Sequence, residues 1–293
     1  MANTAAIQEK IESTFRQQVQ NDKKVENAYL LVHSGKLGID INIAEGKTGE
    51  IQATPEQANH LASVGKLFTA TLVSMLRDKG LLSFDDKIVK YLDADLARGL
   101  HVYKGEDYTG DISIKHLLKQ TSGLNDVFFP LLKKMIDDPG LEMTAEEAVE
   151  WGKANLQPVG KPDQKHFYTD TNYYLLGLII ENITKKPFHE AMHEMILDPL
   201  KMDNAFISGY SEPKYKPQYP PAHITLLNTN LIENKRIARI DYAGGGVVAP
   251  LSEYLVFMKA LVNGQLVKED TLHQMIDDDV KMGIPAIGFD YGY

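Results

Sequence analysis

The sequence predicts an α/β fold of the α+β kind, an antiparallel sheet flanked by helices with a helical domain inserted into it. Three observations predict this. The start of the chain alternates like a strand, the middle is helix and loop, and a glycine-rich stretch follows near the end. The sheet-bearing domain is then built from both ends of the chain, residues 1–62 and 241–293, and a mainly helical domain spans 63–240.

Each element has a local reason. Ala5 to Gln20 places Ile7, Ile11 and Phe15 on one face and reads as an exposed amphipathic helix. Ala28 to Val32 is a short apolar run ended by Ser34-Gly35, and Ile39 to Ile43 alternates, so the two form an antiparallel hairpin. Ser63 to Lys79 has helical spacing and stops at Gly80. Thr144-Ala-Glu-Glu147 is a capping-box pattern that opens a helix towards Asn155. Asn172 to Ile183 is a further helix. Pro187 takes the first position of the next one, which ends before Pro199. Pro213 to Pro221 is a rigid proline-rich loop, and its PxxP spacing needs no peptide-ligand role. Ser252 to Val262 is a helix closed by Gly264.

The 293 residues are 43% hydrophobic and 24% charged, enough for a large core and unlike a disordered, fibrous or coiled-coil chain. Lys plus Arg number 31 against 40 Asp plus Glu, a formal charge of −9, which argues against nucleic acid or an anionic membrane surface as the main partner. With no cysteine, disulfides, thiolate catalysis and cysteine-held zinc are excluded together. The densest apolar run, Tyr173 to Ile180, is far shorter than the ~20 residues of a membrane span. The N-terminus does not read as a signal peptide, which suits a cytoplasmic protein, or an exported one whose leader has been trimmed.

Two motifs carry chemistry. In Ser63-Val-Gly-Lys66 the lysine lies one helical turn from the serine, so it shares its face. A serine hydroxyl needs such a base to become a nucleophile at neutral pH. A helix N-terminus also favours a developing negative charge. Alone, the pattern equally describes an N-cap serine with a solvated lysine. The same spacing in Ser211-Glu-Pro-Lys214 falls in the proline-rich loop and lacks a helix. In Tyr168-Thr-Asp-Thr-Asn172, Tyr168 beside a lysine could act as a general base, or be an ordinary half-buried tyrosine. Asp170 suits a helix N-terminus.

Taken in order, these segments resemble a known family. Leu61-Ala-Ser-Val-Gly-Lys-Leu-Phe-Thr-Ala70 is followed by Gly80-Leu-Leu-Ser-Phe-Asp-Asp86, Ile112-Ser-Ile-Lys-His-Leu-Leu118 and Gln120-Thr-Ser-Gly-Leu124. Then come Phe167-Tyr-Thr-Asp-Thr-Asn-Tyr173, Pro199-Leu-Lys-Met202 and Ala243-Gly-Gly-Gly-Val-Val248. From about Leu61 onward the chain resembles the penicillin-recognising serine hydrolases, in the branch of class C β-lactamases, D-Ala-D-Ala carboxypeptidases and family VIII esterases. The resemblance implies a β-lactamase/transpeptidase-like fold and an acyl-enzyme mechanism on a β-lactam, a D-amino-acid peptide or a carboxylic ester. Ser63 would be the nucleophile, Lys66 and Tyr168 would move its proton, and Asp170 and Gly245 would face the substrate. No cofactor and no metal are implied. The partner would be a small-molecule or peptide substrate.

The chain departs from the family pattern twice. Asp170 stands where many relatives carry asparagine; ionised, it accepts but does not donate, and it holds Lys66 protonated. That weighs against efficient β-lactam hydrolysis and leaves a carboxylesterase or a non-turnover penicillin-binding-like protein as alternatives. The third motif, Lys or His, any residue, then Gly, is not found before the chain stops at Asp290-Tyr-Gly-Tyr293, which reads as the lead-in to that strand. The expectation is a fold truncated at the C-terminus, or completed by a homodimer partner or a second chain.

Three other signals compete. His189-Glu-Ala-Met-His193 matches HExxH, so a zinc metallopeptidase using His189, Glu190 and His193 is an alternative, although no third ligand follows. Gly244 to Ala249 fits a loose GxGxxA, but Pro250 blocks a dinucleotide-type helix, and the segment reads as a glycine-rich strand beside the active site. Gln120-Thr-Ser-Gly-Leu124 reads as a structural turn near the site.

Overall fold

The computed structural model describes residues 4–277 and, beyond them, the short paired strands Val280–Lys281 and Asp290–Tyr291. The first helix, α1 (Thr4–Asn21), packs against the hairpin of β1 (Asn27–Ser34) and β2 (Ile39–Thr48), and Ile7, Ile11 and Phe15 are half-buried. The hairpin is antiparallel in the register Ser34↔Ile39 to Asn27↔Gly46, and β3 (Ile51–Gln52) extends it. In β2, Ile39 and Ile41 are buried while Asp40 and Asn42 are exposed, the period-two pattern of a half-buried strand.

A second antiparallel sheet positions the site. It joins β4 (Asn59–His60), β5 (Phe206–Ile207) and β6 (Val247–Ala249), with β6 in the centre. Val248 pairs with both His60 and Phe206, so an early and a late segment of the chain meet in one ladder. Directly after β4 the chain turns into α2 (Gly65–Asp78), and directly before β6 lies the glycine-rich stretch.

The helical middle contains α3 (Ala145–Asn155) and α4 (Asp170–Thr184). The capping box expected at Thr144 is present, with Thr144 Oγ1 accepting from Glu147 N at 3.1 Å and Glu147 Oε2 accepting from Thr144 N at 2.7 Å. Helices α2 and α4 are buried on nearly every side, through Phe68, Leu72, Val73 and Leu76 on one and Tyr173 to Gly177, Ile179 and Ile180 on the other. Such all-round apolar helices form the centre of a domain. Helix α5 (Leu251–Val262) closes over α2, where Phe257 stacks on Phe68 with ring centroids 3.7 Å apart. Among the described residues no helix is long and apolar enough to cross a membrane.

The structure corrects two local readings. The glycine-rich stretch is not a strand throughout: Tyr242–Gly245 is a helical turn and only Val247–Ala249 is a strand. The turn forms because Gly246 N donates to Tyr242 O at 3.1 Å, and its glycines leave room for the Asp170 side chain at Gly244 and for the Ala62 and Tyr242 backbone at Gly245 and Gly246. Pro187 is the cap before Phe188–Met192 rather than its first residue, and the chain continues as a wider π turn, His193–Leu197. In that turn Asp198 N reaches back to His193 O at 2.9 Å. The proline-rich segment is a loop, tied down where Gln57 Nε2 donates to Pro220 O at 3.0 Å. Of the expected C-terminal lead-in, Asp290–Tyr291 pairs with Val280–Lys281, while Gly292 and Tyr293 lie outside the described residues.

Candidate active site

The site grows from the bend between β4 and α2. Ala62–Val64 forms a single 3₁₀ turn, and Ala62 takes a positive φ of +48°. A residue with a Cβ in the left-handed region costs about 1–3 kcal/mol, so the turn must be held by its surroundings. The turn presents Ser63 and Val64 to solvent and sends Lys66 inward, where it is 4% exposed.

Lys66 is the centre of the arrangement. Its Nζ donates to Ser63 Oγ at 3.4 Å, to Gly244 O at 2.7 Å and to Asp170 Oδ1. An ammonium has three protons, and all three are taken. Nζ also lies 4.9 Å from the ring centroid of Tyr168 and 5.4 Å from that of Tyr173. Burial pulls the Lys66 ammonium down, but the Asp170 carboxylate and Tyr168 outweigh it and hold the group above its ordinary value. Burial pushes the Asp170 carboxyl up to about 6 against the pull of Lys66, with the charges of Asp126 and Asp241 pushing the same way.

Tyr168 and Asp170 reach this point because α4 begins there. Thr169 caps the helix, its Oγ1 accepting from Thr171 N at 3.1 Å, and Asp170 is the first helical residue. Asp126 fixes this entry by accepting from Asp170 N at 2.8 Å and from Thr169 Oγ1 at 3.2 Å. Tyr168 stands outside the helix and is 39% exposed, so Ser63 and Tyr168 form an open face above the buried Lys66 and the half-buried Asp170. The Gln120–Leu124 segment braces the same helix from below. Gln120 Oε1 accepts from Asn172 Nδ2 at 2.6 Å, and Ser122 Oγ donates to Asn172 Oδ1 at 2.5 Å. Both residues are fully buried, as suits a structural turn.

The glycines set the spacing. Gly245 is buried behind the Ala62–Val64 turn, where a Cβ would stand 3.0 Å from Ala62 O, and one on Gly65 would stand 3.1 Å from Gly245. A Cβ on Gly244 would come within 2.5 Å of Asp170 Oδ1, the atom that holds Lys66. Gly244→Ala is therefore expected to displace the Asp170 carboxylate and to cost about 1–3 kcal/mol, read as a lower midpoint in denaturant unfolding with an unchanged slope. An unfolding curve identical to wild type would contradict the packing described.

The structure thus brings together Ser63, Lys66, Tyr168 and Asp170, with Gly245 immediately behind them. Sequence reasoning missed Asp126, an isolated acid whose only signal is its place four residues after the Gln120-Thr-Ser turn. The HExxH residues lie elsewhere. His193 Nε2 is 3.0 Å from Ser211 Oγ, and His189 packs against the ring of Tyr210. Among the described residues no three His, Cys, Asp or Glu side chains are grouped as a metal site requires.

The family model described as Beta-lactamase matches residues 11–292. The chain belongs to the beta-lactamase family. The resemblance carried by the motifs and this match agree. Protein flp of Staphylococcus aureus (strain MW2) is 26% identical to this family member over 223 residues, 72% of this chain and 40% of that protein. The chain therefore spans about 40% of the length of this curated relative. A crystal structure of a D-stereospecific amidohydrolase from Streptomyces sp. superposes with a TM-score of 0.76 at 22% identity, covering 94% of this chain and 79% of that one. The D-amino acid amidase from Ochrobactrum anthropi SV3 gives a TM-score of 0.74 at 21% identity, covering 92% and 75%. The β-lactamase/transpeptidase-like fold expected from the motifs is the fold observed.

Proposed function

We propose that this member of a hydrolase family is a serine acyl hydrolase, acting on an amide or ester through an acyl-enzyme at Ser63. The observation that carries the reading is the buried Lys66 ammonium, held by Asp170 and Gly244 and aimed at Ser63 Oγ 3.4 Å away. In this reading Lys66 in its neutral form accepts the Ser63 proton as Oγ attacks the carbonyl carbon. The tetrahedral intermediate collapses when the leaving group takes a proton, passed through Tyr168, which stands over Lys66 at the open face. Water then attacks the acyl ester and gives up a proton to the same pair, which returns one to Ser63 Oγ as the acyl C–O bond breaks, releasing the acid product and free Ser63. Asp170 and Gly244 O fix the lysine in place, and the sheet beside it is built from Asn59–His60, Phe206–Ile207 and Val247–Ala249.

The superposed amidohydrolase and amidase favour amides of D-amino acids as the first substrates to try, ahead of β-lactams. The test is intact-mass spectrometry after incubation with a fluorophosphonate and, separately, a penicillin, on wild type and Ser63→Ala. A single fluorophosphonate adduct, absent from Ser63→Ala, is the expected result. An adduct that persists in Ser63→Ala, or no adduct on folded wild type, would overturn the assignment. A penicillin adduct that never turns over would support the non-turnover alternative instead.

A further inference from the structure

We propose that His60 and Asp241 form a buried positioning pair that clamps the Ala62–Ser63 turn onto the glycine turn holding Lys66. The proposal rests on the reading of Ser63 as nucleophile and assigns work to two residues outside the motifs.

Four observations carry it. His60 Nε2 lies 3.1 Å from Asp241 Oδ2, and the two side chains are only 2% and 10% exposed. Both atoms are buried and neither has a hydrogen-bond partner among the described residues, so the 3.1 Å approach to each other is the polar contact that each is given. The other ring nitrogen, His60 Nδ1, accepts from Ala62 N at 3.1 Å. Ala62 is the positive-φ residue immediately before Ser63, so the histidine grips the turn at its strained point. A nitrogen that accepts carries no proton, so the His60 proton sits on Nε2 and faces Asp241. The acid thereby fixes the tautomer that the backbone contact requires.

The pair also spans the two halves of the site. His60 ends β4, in the segment before Ser63, whereas Asp241 precedes the helical turn Tyr242–Gly245. The Gly244 carbonyl in that turn accepts from Lys66, and Gly245 lies where a Cβ would stand 3.0 Å from Ala62 O and 3.2 Å from Asp241 Oδ1. One clamp therefore sets the distance between the Ser63 hydroxyl and the lysine that serves it. A displacement of the nucleophile by about 1 Å costs on the order of a hundredfold in rate. Neither residue touches the reacting atoms, so both are positioning residues.

The ring nitrogens can be tested separately. Asparagine places an oxygen near the Nδ1 position and keeps the acceptor for Ala62 N–H. Glutamine places its amide near Nε2, keeping the donor to Asp241 and losing the acceptor. Each variant therefore keeps one half of the clamp and breaks the other, so His60→Asn and His60→Gln are both expected to label with a fluorophosphonate about 10- to 100-fold more slowly than wild type, as is His60→Ala, with the loss in the maximal rate and not in half-saturation. Rates are compared on protein shown to be folded by circular dichroism. A folded asparagine or glutamine variant that labels at the wild-type rate would overturn the proposal. Absence of labelling in wild type would instead defeat the reading of Ser63. A measurement on wild type guards against variants that fail to fold. The long-range proton–nitrogen NMR spectrum of His60, identified by its absence from the His60→Gln spectrum or by selective labelling, should show the Nε2–H tautomer. The opposite tautomer would rule out an acceptor at Nδ1.

Discussion

Replacing Lys66 by methionine is expected to slow fluorophosphonate labelling of Ser63 by about 10²–10⁴-fold, the range over which a positioned general base acts. Methionine keeps the length of the side chain and removes the proton acceptor, so half-saturation by the reagent should move little while the maximal rate falls. Stability should fall as well. Lys66 is 4% exposed and opposes the effect of burial on Asp170, whose carboxyl stands at about 6 with the lysine in place. Without the lysine that carboxyl rises further and is held protonated to higher pH. Breaking a buried pair from one side costs about 3–5 kcal/mol, less where the orphaned acid neutralises itself. The double variant Lys66→Met with Asp170→Asn removes the orphaned charge, so it should regain stability and none of the rate. Lys66→Arg should not rescue the rate either, because a guanidinium stays protonated and offers no lone pair. Labelling of Lys66→Met at the wild-type rate would exclude Lys66 as the base, whatever happened to stability.

The parts of this site differ in how far sequence exposes them. Ser63 and Lys66 lie one helical turn apart, so their proximity follows from helix geometry once the helix after Ser63 is seen. Tyr168 and Asp170 are joined to them only by tertiary packing, since Asp170 is 104 residues from the lysine it holds. Only the order of segments shared with a family brings them in. His60, Asp126 and Asp241 carry no motif, and each is an ordinary polar residue until β4, β6 and the entry to α4 are assembled. The hairpin and the main helices were legible because their apolar periods are strong and their caps are local, as at Thr144. The glycine turn was not. Three glycines followed by two valines read as a strand by propensity, yet the bond from Gly246 N to Tyr242 O and the contact of Gly244 O with Lys66 wind it into a helical turn. Tertiary partners decided that segment.

Asp170→Asn is expected to increase the rate of Ser63 acylation at neutral pH and to move the rising limb of the pH–rate profile to lower pH. The sign follows from the forces on Lys66. Burial lowers the ammonium, and the charge and hydrogen bond of Asp170 raise it. Asparagine keeps an acceptor oxygen for Nζ and removes the charge, so burial counts for more and the lysine loses its proton more readily. Each unit by which it falls gives about a tenfold larger neutral fraction at pH 7. The two profiles should separate above about pH 6 and converge below it, because Asp170 itself becomes neutral as the pH falls through about 6. Stability carries a matching signature. Asp170 is raised from 3.8 to about 6 on folding, so its contribution to stability is fully present below 3.8 and is lost as the pH rises through about 6. The Asp170→Asn variant should lack that decline between pH 4 and 6 in unfolding midpoints measured across the range. If labelling rate and limb position both stay where wild type has them, the carboxylate does not control the lysine. The departure from the asparagine of the resembling family would then have to act on substrate binding instead of on the base.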